Sequence, residues 1–154
     1  MTSIKRTDSA DADFQSLVKL LDEELRIRDG SENAFYAQFN KIDMLKNAVV
    51  LYMYGKPVAC GAFKPFGKGA VEIKRMYVLP EYRGRNIAGQ ILRELEDWAG
   101  ELQYSGCVLE TGKRQPEAIR LYEKSGYERI PNYGQYANVE NSVCMSKNLN
   151  NEIR

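Results

Sequence analysis

The segment RGRNIAG, from Arg83 to Gly89, carries two arginines and two glycines in seven residues. It separates an apolar run that ends at Leu79-Pro80 from an amphipathic run that begins at Ile87. The start of a helix binds anions, because its first N–H groups have no partners within the helix and the dipole is positive there. Glycine lets a bulky group approach the backbone, and the arginines add positive charge. This spacing predicts a pyrophosphate cradle; the alternative is a solvated turn that happens to carry arginines.

Two other phosphate-binding motifs do not match. The segment GCVLETGKR, residues 106–114, is nearest to a P-loop, but its glycine spacing is one residue too long. Arg114 also stands where a P-loop has the Ser or Thr that holds magnesium. The GxGxxG fingerprint of dinucleotide-binding folds is absent. The sequence therefore gives no support to a P-loop or to a dinucleotide site.

The chain has no histidine. This excludes Ser-His-Asp and Cys-His catalysis and the usual zinc sites. The three cysteines, Cys60, Cys107 and Cys144, are widely spaced in apolar runs and are expected to be small buried core residues. We therefore expect no metal, no disulfide framework and no acetyl-cysteine intermediate. Acid–base chemistry must use Glu, Asp, Lys, Tyr, Cys, a chain terminus or water.

The elements that must position the cradle follow from the hydrophobic spacing. Apolar residues recur at helical intervals from Asp11 to a stop at Asp29-Gly30, which predicts a first helix after a short strand over residues 3–7. A second, shorter helix is predicted over residues 34–39. Three strands joined by glycine-containing turns then form a meander, at residues 48–54, 58–63 and 70–79.

The second half of the chain alternates helices and strands. A helix over residues 90–102 follows the cradle, and a short buried strand over residues 107–109 comes next. Pro116 opens another helix, which ends at Ser125-Gly126. Late strands are predicted at residues 127–130 and 142–146. With no internal repeat or Pro/Ser-rich linker, residues 1–154 are expected to form a single mixed α/β domain around one sheet.

Composition narrows the class of protein. The chain has 154 residues, of which 44% are hydrophobic and 28% charged, which is typical of a soluble globular domain. The 22 basic and 21 acidic residues give a net charge of +1, so charge supports neither a nucleic-acid partner nor a membrane-surface partner. No apolar stretch has transmembrane length, and the N-terminus lacks an apolar signal core. A cytoplasmic location is expected.

Two linked blocks resemble a known family. VEIKRMYVLPEYRGRNIAGQILRELEDWA, followed by LETGKRQPEAIRLYEKSGYERI, is similar to the GCN5-related N-acetyltransferases. The resemblance implies an α/β (α+β) fold with a mixed, mostly antiparallel central sheet flanked by helices, the acyl-CoA N-acyltransferase fold. It also implies direct transfer of an acetyl group from acetyl-CoA to a primary amine, without a metal.

The resemblance assigns cofactor-binding residues. The family's [QR]xxGx[GA] turn corresponds to Arg83, Gly84, Arg85, Asn86, Ile87 and Ala88, with Gly89 next in the chain. Asn86 replaces the central glycine, and asparagine tolerates left-handed backbone geometry better than most residues. The strand before the turn is expected to offer main-chain groups to the pantetheine arm, from Met76, Tyr77 and Val78. Gln115 stands where the family often has Asn, and either contacts the coenzyme arm or caps the following helix.

Two side chains are candidates for the chemistry. Tyr122 occupies the position of the family's usual general acid, which protonates the departing thiolate; the alternative is a helix tyrosine whose hydroxyl lies at the surface. Glu72 is the candidate base, which would take the proton of the amine directly or through water. The alternative for Glu72 is a cross-strand ion pair. Glu110 and Thr111 are left without an assigned role.

The acceptor is the least defined part. Residues 26–39 and the loop at residues 130–142 both mix aromatic and polar side chains, which suits a small polar ligand and equally suits an ordinary ordered loop. We expect a small amine or amino acid as the acceptor, with a protein or peptide amine as the alternative. Rival classes are an acetyl-CoA-binding regulatory module without catalysis and a plain interaction domain. A homodimer is compatible with the sequence, which does not establish one.

Overall fold

The structure is a computed structural model that describes residues 1–29 and 45–149, apart from the side chains of residues 28 and 29. The helix predicted over residues 34–39, and most of the candidate acceptor region at residues 26–39, lie outside these ranges. The second candidate acceptor region, at residues 130–142, lies within them.

The described residues form seven strands, three α-helices and two short 3-10 turns. The strands are β1 (Thr2–Thr7), β2 (Asn47–Met53), β3 (Lys56–Phe66), β4 (Ala70–Val78), β5 (Gly106–Gly112), β6 (Glu128–Ile130) and β7 (Ser142–Asn148). The helices are α1 (Ala12–Asp29), α2 (Ile87–Glu101) and α3 (Pro116–Lys124). The 3-10 turns are at Pro80–Tyr82 and Gly134–Tyr136.

The strands make one mixed sheet in the order β1-β2-β3-β4-β5-β7-β6. Strand β2 runs antiparallel to β1 and β3, and β7 runs antiparallel to β5 and β6. Strands β4 and β5 are parallel, with Glu72 opposite Val108. A parallel pair needs a long crossover connection, and α2 supplies it. The mixed, mostly antiparallel sheet predicted from the family resemblance is confirmed.

The chain divides into two compact units, each described by itself. The first contains Met1–Lys64 and Lys74–Leu95, and the second contains Pro65–Ile73 and Glu96–Arg154. In the first unit, one face of α1 packs on β2, β3 and β4 through the buried residues Phe14, Leu17, Val18, Ala48, Val50, Cys60 and Tyr77. In the second unit, buried residues of β5 and β7 form the core, among them Cys107, Leu109, Cys144 and Met145.

Several elements extend beyond their predicted limits, and α2 and β5 show why. Helix α2 begins at Ile87 rather than at Gln90, because the buried Ile87 side chain already belongs to the apolar face of the helix. Strand β5 covers Gly106–Gly112 rather than residues 107–109, because β7 pairs with it along its full length, including the polar Glu110 and Thr111. The apolar run alone marked only part of this strand.

The three cysteines are buried free thiols, as expected. Burial raises the pKa of the Cys60 thiol far above its ordinary value, and the nearby Arg75 only partly opposes this. The Cys60 thiol donates a hydrogen bond to the main-chain oxygen of Arg75 at 3.4 Å. Cys60 is therefore a protonated core residue rather than a nucleophile.

Candidate functional site

The predicted cradle forms a turn with two left-handed residues. Gly84 has a φ of +81° and Asn86 a φ of +60°. A Cβ on Gly84 would meet nothing within 4 Å, so the glycine is required by its backbone conformation and not by crowding. Asn86 adopts the left-handed geometry that its side chain tolerates. The two residues turn the chain from the 3-10 turn into the first residues of α2.

Gly89 is required by the side chain of Asn86. A Cβ on Gly89 would lie 2.4 Å from Asn86 Oδ1, a separation that atoms essentially never reach. The asparagine amide thus occupies the space that a side chain on Gly89 would fill. A larger residue at position 89 would displace this amide. This coupling between the two residues was not foreseen from the sequence.

The Arg83 side chain is exposed, and its guanidinium is bonded to neighbours within the first unit. Arg83 Nε donates to the main-chain oxygen of Val78 at 2.9 Å, and Nη2 donates to Glu24 Oε1 at 2.8 Å. Its Cζ lies 5.5 Å from the centre of the Tyr77 ring. Arg85 is exposed, with its Cζ 5.2 Å from the Tyr82 ring centre. The charge of Arg83 is therefore shared with Glu24, while Arg85 stands on the surface of the turn.

The end of β4 leads into this turn. Arg75 has a φ of +59°, so a left-handed residue interrupts the regular strand immediately before Met76. Arg75 Nη1 pairs with Asp22 Oδ1 of α1 at 2.7 Å, and its buried Nε has no hydrogen-bond partner. A Cβ on Gly61 would lie 2.7 Å from Met76 Sδ, so Met76 packs closely over β3. Neither feature was foreseen from the sequence.

Glu72 is buried in the part of β4 that belongs to the second unit. The residue is only 3% exposed. Its Oε2 accepts a hydrogen bond from the Tyr133 hydroxyl, with 2.8 Å between the two oxygens. Burial, followed by the charge of Glu72, raises the pKa of Tyr133 far above its ordinary value. The phenol therefore donates its proton to the hydrogen bond and keeps it at neutral pH.

Tyr122 is also buried, at 7% exposure, on the inner side of α3. Burial, with a smaller contribution from the charge of Glu110, raises the pKa of its phenol well above 10.0. Its ring meets the Tyr127 ring edge-on, with 5.9 Å between centres. The alternative of a hydroxyl at the surface does not describe this residue. Tyr122 is a neutral phenol held inside the second unit.

Glu110 and Tyr136 extend the polar cluster of the second unit. Ser142 Oγ donates to Glu110 Oε2 at 2.7 Å. Burial raises the pKa of Tyr136 far above its ordinary value, and the charges of Glu110 and Glu72 add to the shift. Glu72 and Glu110 lie on the same face of the sheet, because Glu72 is opposite Val108 and side chains alternate along β5. The negative charges of Glu72 and Glu110 therefore both raise the pKa of Tyr136.

Gln115 is the residue immediately before α3. Its side chain makes no capping hydrogen bond, so the capping alternative is wrong. Pro116 takes the first helical position, where a missing N–H costs nothing. The role of Gln115 toward the coenzyme arm stays a prediction.

The structure thus groups the predicted residues by unit. The first unit holds the strand end and the turn, namely Met76, Tyr77, Val78, Arg83, Gly84, Arg85, Asn86, Ile87, Ala88 and Gly89. The second holds Glu72, Gln115 and Tyr122, together with Glu110, Tyr133 and Tyr136.

Within residues 1–29 and 45–149, no three Cys, Asp or Glu side chains are arranged to hold a metal ion. None of the helices described there combines the length and apolar character needed to cross a membrane.

Known proteins share both the sequence pattern and the fold. An IAA acetyltransferase from Azospirillum brasilense is 38% identical over 96 residues, which cover 62% of this chain and 63% of that relative. The match therefore spans less than two thirds of the length of that curated relative.

Solved structures extend the likeness to nearly the whole chain. A structure of a proposed acyl-CoA N-acyltransferase from Klebsiella pneumoniae is 28% identical with a TM-score of 0.81, covering 97% of this chain and 98% of that one. The paia N-acetyltransferase from Thermoplasma acidophilum, solved in complex with coenzyme A, has a TM-score of 0.72 at 16% identity, covering 96% of this chain and 99% of that one. At that identity the second structure shows the fold alone.

A family model matches most of the described chain. The model of the acetyltransferase (GNAT) family matches residues 14–127, which include β2 to β5, the turn and the whole of α2 and α3. The family resemblance of the turn and the tyrosine helix is confirmed: this chain belongs to the acetyltransferase (GNAT) family.

Proposed function

We propose that this chain transfers an acetyl group from acetyl-CoA directly to a primary amine of a small molecule. Membership of the acetyltransferase (GNAT) family supports the reaction class. The observation that carries the proposal is the turn before α2, where the left-handed Gly84 and Asn86 lead directly into the start of the helix, whose first N–H groups have no partners within it. A pyrophosphate fits such a helix start.

The donor would be held mainly by main-chain groups. In the proposal, the turn from Arg83 to Gly89 receives the pyrophosphate, and Met76 to Val78 face the pantetheine arm, with Gln115 near it. Arg83 and Arg85 are both exposed, and Arg83 would have to leave Glu24 to add its charge. Membership of the acetyltransferase (GNAT) family supports acetyl-CoA as the donor.

The chemistry uses two groups of the second unit. Glu72 takes a proton from the ammonium form of the acceptor, which frees the nitrogen lone pair. The nitrogen forms a bond to the acetyl carbon, and the bond from that carbon to sulfur breaks. Tyr122 gives its proton to the departing thiolate. The second proton that the nitrogen loses as the amide forms restores the Tyr122 phenol, so the products are the amide and free CoA. The buried phenol of Tyr122 is neutral at neutral pH and so has a proton to give.

The acceptor is proposed to be a small amine or an amino acid. The loop at residues 130–142 brings Tyr133 and Tyr136 to the buried carboxylate Glu72, which suits a small ligand with a positive amine. A protein or peptide amine is the second candidate. An acetyl-CoA-binding module without catalysis is the candidate from another class.

The test is to mix the purified protein with acetyl-CoA and a panel of amino acids, polyamines, aminoglycosides and short peptides. We expect free CoA thiol above the no-acceptor control with one class of small amine. Calorimetry measures acetyl-CoA binding to the wild type, to Arg83→Glu and to the matched surface control Arg129→Glu. We expect weaker binding only for Arg83→Glu, because a carboxylate would repel the pyrophosphate. Binding without thiol release from any amine would favour the regulatory module, and equal affinities would remove the cradle assignment.

A further inference from the structure

The hydrogen bond between Tyr133 and Glu72 joins residues 61 positions apart in the sequence. Glu72 lies on β4, whereas Tyr133 lies in the loop between β6 and β7, immediately before the 3-10 turn Gly134–Tyr136. The phenol is half-buried and the carboxylate is 3% exposed, so the hydroxyl reaches from the edge of the second unit to a buried anion. A hydrogen bond to a buried charge is strong and directional.

The Tyr133 ring is held in place on two sides. Its centre lies 4.7 Å from the Phe66 ring and 5.8 Å from the Tyr136 ring, and both contacts are edge-on, at 61° and 84°. Tyr136 is almost fully buried, and its main-chain N–H donates to the main-chain oxygen of Tyr133 at 2.9 Å. The position of the hydroxyl is therefore set by packing before any ligand arrives.

The loop that carries the ring is closed by one side chain. Asn132 Nδ2 donates to the main-chain oxygens of Val139 and Ser142, each at 3.1 Å. These bonds tie the two ends of the loop together next to the start of β7. A loop pinned at its base keeps the tyrosine at a constant distance from the strand that carries Glu72.

We propose that Tyr133 is a positioning residue, which holds the Glu72 carboxylate in one orientation for the acceptor amine. The inference rests on the proposed function, in which Glu72 is the base. Tyr133 itself does not exchange a proton with the substrate. Its hydroxyl donates to Glu72 Oε2 at 2.8 Å, and this bond fixes the direction in which the carboxylate points. Loss of the hydroxyl leaves Glu72 less well oriented.

Other titratable groups also face Glu72. Tyr136 lies in the same loop, Glu110 on β5 and Cys144 on β7, and the charge of Glu72 acts on both Tyr136 and Cys144. On its own strand, Lys74 follows two residues later. All of these groups are left unchanged in the variants below. A difference in kcat between the wild type and Tyr133→Phe therefore reports the loss of the Tyr133 hydroxyl alone.

Tyr133→Phe tests the proposal, because it keeps the ring and both aromatic contacts and removes only the hydroxyl. We expect kcat to fall about tenfold, the usual effect of losing one hydrogen bond to a charged group. The KM for acetyl-CoA should stay unchanged, because the hydroxyl is proposed to act on Glu72 and not on the donor. An unchanged kcat would overturn the proposal.

A double-mutant cycle with Glu72→Gln separates this inference from the proposed function. If Tyr133 acts through Glu72, Tyr133→Phe should change kcat less than about twofold in the Glu72→Gln background, because the carboxylate is already gone. An equal loss in both backgrounds would show that Tyr133 acts on its own and would overturn the inference alone. Unchanged turnover in Glu72→Gln would overturn the base role, and this inference with it.

The same four proteins give a readout that needs no turnover. Urea unfolding of the wild type, both single variants and the double variant measures how strongly the two side chains depend on each other in the folded protein. The proposal requires the double variant to be more stable than the sum of the two single losses predicts. Simple additivity would overturn it even if no amine were ever acetylated.

Discussion

At the scale of single residues, burial fixes the candidate proton donor Tyr122 in one position. Tyr122 lies inside the second unit, and the cost of placing a phenolate there raises the pKa of its hydroxyl well above 10.0. The charge of Glu110 acts in the same direction. A tyrosine on the surface would differ little in charge at pH 7, but it would not be fixed beside the packed ring of Tyr127. What burial adds is a neutral donor in a constant position.

Replacement of Tyr122 by Phe should lower kcat by roughly 100-fold, the lower end of the usual range for a general acid. The acetyl-CoA affinity measured by calorimetry should stay the same, because the pyrophosphate cradle lies in the other unit. Tyr54→Phe serves as the control, since Tyr54 is 84% exposed and should tolerate the loss of its hydroxyl. An unchanged kcat for Tyr122→Phe would end the acid assignment.

At the scale of elements, the connection from β4 to α2 depends on backbone conformations that most residues avoid. Arg75, Gly84 and Asn86 all have positive φ values within twelve residues of the chain. A non-glycine residue in the left-handed region costs about 1–2 kcal/mol, which the surrounding contacts must offset. Arg75 has its ion pair with Asp22, and Asn86 has its amide over Gly89. The backbone strain therefore lies in the segment that is proposed to bind acetyl-CoA.

Two substitutions at Asn86 distinguish the contribution of its backbone conformation to acetyl-CoA binding from that of its side chain. Asn86→Gly keeps access to left-handed geometry, and we expect acetyl-CoA affinity close to that of the wild type. Asn86→Ala disfavours this geometry by about 1–2 kcal/mol, and we expect the affinity to fall up to tenfold. Calorimetry with acetyl-CoA measures both. Equal weakening by the two variants would mean that the Asn86 amide, rather than the turn, holds the ligand.

At the scale of the whole molecule, the buried tyrosines link folding to pH. The pKa values of Tyr122, Tyr127, Tyr133 and Tyr136 are all raised, and burial is the largest cause in each case. Above pH 10.0 the unfolded chain loses these protons, whereas the folded chain retains them. The folded state then binds more protons than the unfolded state, so stability falls as pH rises.

The free energy of unfolding should therefore stay nearly level to about pH 9 and fall above pH 10, by up to about 1.4 kcal/mol per pH unit for each tyrosine. Urea unfolding from pH 7 to pH 11 measures this. The buried thiol of Cys60 contributes in the same direction, so the comparison is made between the wild type and Tyr122→Phe. The variant should lose stability less steeply. Identical slopes would show that Tyr122 titrates as it does in the unfolded chain.

The elements of the fold were predictable where their signals are local. Pro116 and Ser125-Gly126 bracket α3 as the sequence indicated, and the apolar spacing located α1. The boundaries of α2 and β5 were less accurate, because Ile87 and the pairing of Glu110 with Cys144 depend on neighbours that no local pattern contains. The family resemblance supplied the sheet type, which periodicity by itself did not give.

By itself, the sequence determined the turn from Arg83 to Gly89 and the helix that carries Tyr122. Both are local: an anion-binding turn needs small residues, positive charge and a following helix, and all three lie within one short segment. Only the tertiary structure decided the partners of these residues. Tyr133 meets Glu72 across 61 positions, and Arg83 meets Glu24 across 59, because strand order and loop closure bring distant segments together. Such pairs leave no pattern in a single sequence, since each partner is chosen by packing rather than by spacing.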